Sequence, residues 1–178
     1  MGGLRRIADG LYVLAVRTSS GQRREPARAQ LRQAVRTALA ELLSVPQEQI
    51  TIHATPGSAP HIDAAGRKVA CSFSHEDGLS LAAWNLHGPV GVDLMQVQAI
   101  PDWETVARDY LGPEACAMLR ASPAQDRPRA LAQAWTAHEA ALKCLGLPLT
   151  EWFASASPPA LSRIELPVPP HLVATLAF

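Results

Sequence analysis

An acid and a base stand four residues apart in Trp135-Thr136-Ala137-His138-Glu139-Ala140-Ala141-Leu142-Lys143. On a helix, positions i, i+4 and i+7 share a face, so Trp135, Glu139 and Leu142 point together and Lys143 lies one turn beyond Glu139. A carboxylate beside Trp and Leu is costly unless something pairs with it. A metal ion or a phosphate-bearing ligand would provide that partner. The plainer alternative is an ordinary Glu–Lys surface pair, worth about 0.2–0.5 kcal/mol.

A second candidate is Val90-Gly91-Val92-Asp93-Leu94-Met95. Strand side chains alternate between faces, which puts Val90, Val92 and Leu94 on one side and Gly91, Asp93 and Met95 on the other. Gly91 leaves room for a close neighbour. Asp93 is then either a metal or phosphate group, or a strand-end carboxylate bonded to a turn. A third is Ser72-Phe73-Ser74-His75, where a Ser-His pair at a strand end could bind phosphate oxygens or begin a catalytic triad. No G-x-S-x-G elbow accompanies it. Arg28, Arg32 and Arg36 recur at i, i+4 and i+8, forming one basic ridge. Arginine suits phosphate because its planar fork can bond two oxygens.

Several chemistries are excluded by spacing. His138-Glu139 lacks a second His four residues after the first, that position being Leu142, so the metalloprotease pattern fails. Neither G-x-x-x-x-G-K-[ST] nor G-x-G-x-x-G occurs. The chain has 178 residues and is 48% apolar, enough for one compact domain with a sizeable core. No apolar run approaches a membrane span. Leu11–Val16 is too short and too late for a signal-peptide core, and Arg6 breaks the myristoylation pattern after Gly2. Three widely spaced cysteines, Cys71, Cys116 and Cys144, fit neither a disulfide framework nor a zinc site, so a reduced, cytoplasmic compartment is expected. The zero net charge hides an asymmetry. Residues 1–36 hold eight arginines against two acids, a balance of +6, which leaves −6 for the remainder. An anionic ligand near the basic part, or simply a solvated basic face, would account for it.

These groups need elements to hold them. The pattern predicts strands at 11–16, 50–53, 68–73, 79–84, 90–95, 162–166 and 171–178, with a turn at 56–60. It predicts helices at 26–43, 101–110, 113–120 and 128–145, the last stopped by Gly146 and Pro148. Strands and helices mix without regular βαβ alternation, so the expected class is α+β.

Taken in order, the motifs resemble the 4′-phosphopantetheinyl transferase superfamily, whose pattern runs G-x-P, F-S-x-S-H, G-[IV]-D-x-E and W-x-x-K-E-[AS]-x-x-K. The matching pieces here are Gly57 to Pro60, Ser72 to His75, Gly91 to Met95 and Trp135 to Lys143, with an aromatic-x-x-x-Glu element at Tyr110 to Glu114. The arginine-bearing helix stands where the family has one. The resemblance runs from about residue 10 to about residue 150. It implies a single domain, 1–178, built from two similar α+β halves, about 1–88 and 89–178, packed as an intramolecular pseudo-dimer. Three departures stand out. The G-K-P lysine is absent, His138 replaces the Lys before Glu139, and Met95 replaces the second carboxylate of D-x-E.

The resemblance implies transfer of the phosphopantetheine arm of coenzyme A to a serine of an acyl or peptidyl carrier protein, with release of 3′,5′-ADP. Asp93 and Glu139 would hold Mg²⁺, which accepts one or two carboxylates and keeps several waters. Lys143 would stabilise the pyrophosphate. His75, with Ser74 beside it, would take a nucleotide phosphate, and Arg28, Arg32 or Arg36 would take the 3′-phosphate. The serine would lose its proton to Glu139 or to a metal-bound water. The implied partners are coenzyme A and a carrier protein, with no nucleic acid and no membrane, and a monomer would be self-sufficient. Met95 and His138 keep open a non-catalytic relative that binds coenzyme A or a carrier protein, and an unrelated α+β interaction protein is the third possibility.

Overall fold

Two antiparallel sheets share one apolar interior, and a long helix covers the outer face of each. The coordinates, a computed structural model, describe residues 3–21, 23–55, 58–152 and 160–178; Pro56 and Gly57 of the expected turn and motif lie outside them. The chain begins with β1 (Gly3–Ala8), β2 (Leu11–Arg17) and α1 (Arg24–Leu43), then β3 (Ile50–His53), β4 (His61–Ala64), β5 (Arg67–Glu76) and β6 (Leu79–Asn85). These six strands form one sheet in the order β1-β2-β6-β5-β4-β3. Next come β7 (Gly91–Gln96), α2 (Trp103–Val106), a π-helical turn (Ala107–Leu111), α3 (Pro113–Ala121), α4 (Arg127–Leu145), β8 (Arg163–Glu165) and β9 (Leu172–Ala177). Strands β7, β9 and β8 form the second sheet in that order. The class is mixed α and β without parallel strand pairs among the described residues.

Alternation along each strand sorts the layers. Leu79, Leu81 and Ala83 of β6 meet Val92 and Leu94 of β7 and Leu172, Ala174 and Leu176 of β9 between the sheets. Ala82 and Trp84 of β6 turn the other way, onto Leu31, Val35 and Leu39 of α1. The order is therefore α1, first sheet, second sheet, α4. Burying the fully enclosed Leu31, Leu39, Leu81, Leu176 and Trp84 stabilises this stack by about 1.5–3 kcal/mol per large side chain.

Two strands differ from the sequence expectation. Gly3–Ala8 carries two arginines and gives little alternation signal, and His61–Ala64 has only four residues; both gain strand geometry by pairing, with β2 and with β3 and β5. The helix expected at 101–110 is divided, α2 passing into the π-helical turn before Gly112. Among the described residues no helix is long and apolar enough to cross a membrane.

Candidate functional site

Strand β5 carries two kinds of chemistry on its two faces. Ser72 and Ser74 point toward β7, whose free edge they cap. The Ser72 hydroxyl accepts the Val92 N–H at 3.0 Å, and the Ser74 hydroxyl accepts the Leu94 N–H at 3.0 Å. An edge strand's unpaired N–H groups are costly to bury, so two serines at strand spacing stitch the sheets together where a ladder is absent. Ser74 then donates its own proton to Asp93 Oδ1 at 3.0 Å. His75, one residue on, points to the opposite face, where its Nδ1 lies 2.8 Å from the hydroxyl of Ser80.

Asp93 sits on the side of β7 that faces α4, as alternation requires. Lys143 reaches across from α4 and donates to Asp93 Oδ1 at 2.6 Å and to the Val92 carbonyl at 3.3 Å. The plainer alternative, a Glu139–Lys143 surface pair, does not form; the ammonium instead joins Asp93, whose side chain is 10% exposed. Glu139 stands half-buried and, among the described residues, its carboxylate makes no hydrogen bond or ion pair. Burial holds its carboxyl above the usual range, Lys143 pulls it down, and the charge of Asp93 raises it again. The three groups therefore share one local field.

The face on which Glu139 lies also differs from expectation. The buried stripe of α4 is Leu131, Ala132, Thr136, Ala140, Ala141 and Cys144. Trp135, Glu139 and Leu142 flank it, half-exposed, and Trp135 takes Tyr110 edge-on at 5.8 Å. Gly91 allows α4 this close: a Cβ there would lie 1.9 Å from the Ala140 carbonyl oxygen.

A cleft of about 650 Å³ opens between α1, β5 and the C-terminal end of α4. Arg28 and Arg32 of α1, His75 of β5 and Lys143 of α4 supply its polar wall. Leu31, Pro60, Phe73, Leu147 and Pro148 contribute apolar surface. Burial, then Arg28, Lys143, Arg32 and Arg24, push the His75 imidazole down to about 4. Such crowding of cations in a partly desolvated cleft favours an anionic ligand.

The structure thus collects the expected residues into two adjoining groups. Arg28, Arg32, His75 and Lys143 line the cleft; Ser74, Asp93, Glu139 and Lys143 form a cluster at its edge, with Lys143 common to both. Arg36 is outside the cleft lining, because the ridge turns away along α1. Sequence reasoning did not single out Ser80, Arg24 or the Leu147–Pro148 wall. Arg24 extends the i, i+4 series one step toward the N-terminus, a signal that was available; the other two come together only through strand pairing and chain return.

The donor set was tested against a hard divalent cation. Among the described residues no group of three or more His, Cys, Asp or Glu is assembled. Two carboxylates in one field do suit Mg²⁺, which completes its shell with water and substrate oxygens. Both bonds to Asp93 fall on Oδ1, and among the described residues Glu139 has no competing hydrogen-bond partner. The three cysteines are free and buried, with burial pushing the Cys71 thiol up to about 12, which suits packing and not ligation.

Residues 89–167 match the profile of a family described as the 4′-phosphopantetheinyl transferase superfamily. The chain is 29% identical over 118 residues to the 4′-phosphopantetheinyl transferase HetI of Nostoc sp., covering 60% of this chain and 50% of that protein. It is 27% identical over 117 residues to slr0495 of Synechocystis sp., which bears the same transferase name provisionally, covering 65% and 48%. The chain spans about half the length of the curated relatives it matches.

Proposed function

We propose that this chain, whose residues 89–167 match the profile of the 4′-phosphopantetheinyl transferase superfamily, is a member of that family and transfers the 4′-phosphopantetheine arm of coenzyme A to a serine of an acyl or peptidyl carrier protein. The observation that carries this is the cationic cleft of Arg28, Arg32, His75 and Lys143 beside two carboxylates in one field. A polyanion with an apolar arm matches that combination of walls.

In this reaction the serine oxygen forms a new bond to the phosphorus that bears the arm, and the bond from that phosphorus to the leaving 3′,5′-ADP breaks. Arg28 and Arg32 bind the terminal phosphate of the nucleotide. His75 donates to a phosphate oxygen. Lys143, already at the junction of cleft and cluster, neutralises charge on the pyrophosphate. Glu139 takes the serine proton. Asp93 and Glu139 would hold Mg²⁺, whose charge offsets that of the pyrophosphate when bound. Two α+β halves, about 1–88 and 89–178, fused as an intramolecular pair would let one copy enclose its own cleft.

The test is the mass of a carrier protein incubated with this chain, coenzyme A and Mg²⁺. A gain equal to the phosphopantetheine arm is expected, and Glu139→Gln should slow it by about 100-fold or more. Met95 and His138 support the second reading, a non-catalytic binder: coenzyme A binding without any mass gain on fatty-acid, polyketide or peptide carriers would favour it. Met95→Glu restores a second oxygen on the α4-facing side of β7. It should lower the Mg²⁺ concentration needed for half-maximal rate, and an unchanged requirement would count against a metal on that face.

A further inference from the structure

Ser80 is directly opposite His75 in the β5–β6 ladder and is fully buried. Its hydroxyl lies 2.8 Å from His75 Nδ1, its only side-chain hydrogen-bond partner among the described residues. A buried hydroxyl proton without an acceptor costs about 1–3 kcal/mol, and the acceptor placed beside it is the Nδ1 lone pair. A neutral imidazole carries a single N–H. When Nδ1 accepts from Ser80, that N–H must be on Nε2.

We propose that Ser80 is a positioning residue that fixes His75 as the Nε2–H tautomer, so the ring can donate a hydrogen bond into the cleft while uncharged. The surroundings make this choice consequential. Arg24, Arg28, Arg32 and Lys143 all bear on the ring, and with burial they keep it neutral at pH 7. In the other tautomer a neutral His75 would offer a lone pair at Nε2, which repels a phosphate oxygen. Ser80 thereby decides whether the ring attracts or opposes the anion that the arginines draw in. The inference rests on the proposed function only for the identity of that anion; the tautomer is a property of the free protein.

The experiment is ¹⁵N NMR of the histidine ring nitrogens in the free full chain at pH 7, followed by calorimetric titration with adenosine 3′,5′-bisphosphate. Wild type should show a protonated Nε2 and an unprotonated Nδ1 for His75. Ser80→Ala should show both tautomers and bind the bisphosphate about three- to ten-fold more weakly, the size of one neutral hydrogen bond. Ser80→Cys, a weaker donor of similar shape, should fall between. In a His75→Ala background the Ser80→Ala change should have no further effect on affinity, which a merely structural role would not produce. A wild-type ring protonated at Nδ1 would overturn the proposal, as would unchanged ring signals and affinity in Ser80→Ala. Wild type that shows the Nε2–H tautomer but fails to bind the bisphosphate would instead sink the functional reading and leave Ser80's role intact.

Discussion

Helices α1 and α4 are nearly the same length, 20 and 19 residues, and each covers a sheet, yet they treat their charges differently. Helix α1 buries Leu31, Val35 and Leu39, large side chains that hold its axis off the strands. Its Arg28 and Arg32 end at the cleft, in or near water. Helix α4 buries mostly small residues, Ala132, Thr136, Ala140 and Ala141, and meets Gly91 at backbone contact. Thr136 even reaches Thr175 of β9 at 2.9 Å. That close approach lets Lys143 reach Asp93 and leaves Glu139 half out of solvent. Side-chain bulk at a helix–sheet interface thus sets how far its charges are desolvated, and hence whether they act as a solvated attractor or as groups with altered protonation.

The comparison breaks most sharply at Gly91. Gly91→Val would drive its side chain into the Ala140 carbonyl and the Cys144 amide, which cannot rotate away; a loss of about 4 kcal/mol or more in urea unfolding is expected, together with loss of transfer. Leu31→Ala should cost about 3 kcal/mol through cavity formation. Because it leaves the α4–β7 contact and the Ser80–His75 pair of the β5–β6 ladder in place, the Asp93–Lys143 pair and the tautomer of His75 should persist by NMR. Equal disruption of both would show that the two helices are not separable.

The smallest effects are in pH dependence, and they have opposite signs. Glu139 has its folded pKa raised, so its contribution to stability is full below the unfolded value and is lost as pH rises through the folded one. Glu139→Gln should therefore flatten that decline and be neutral or stabilising at pH 7. His75 has its folded value lowered from 6.5 to about 4, so stability is present above 6.5 and falls as pH drops toward 4. His75→Gln should remove that slope. Chemical denaturation from pH 4 to 8 reads both, and slopes of the same sign would refute the assigned environments.

Much of this arrangement was legible in advance. Alternation in Gly91–Met95 correctly separated Asp93 from Val92 and Leu94, and Gly91 did mark a close neighbour. The basic ridge appeared at Arg28 and Arg32, but only the cleft's shape separated these from Arg36. The Ser72-Phe73-Ser74-His75 run read as a phosphate-binding pair or the start of a triad, whereas pairing splits it: the serine hydroxyls cap the β7 edge, and His75 lends the cleft its imidazole. Strand β1 was not legible because its arginines mask its period, and β4 because four residues carry too little pattern.

By itself the sequence determined the kinds of groups, their order along the chain and, in strands such as β7, the face each takes, because that follows from a local period of 2 residues. Only the tertiary structure decided which partner each group meets. Lys143 and Asp93 are 50 positions apart, and Ser74 is 19 from Asp93. No local period links such distances; they are fixed by the packing of two sheets and by how near a helix of small residues can come to a strand with a glycine.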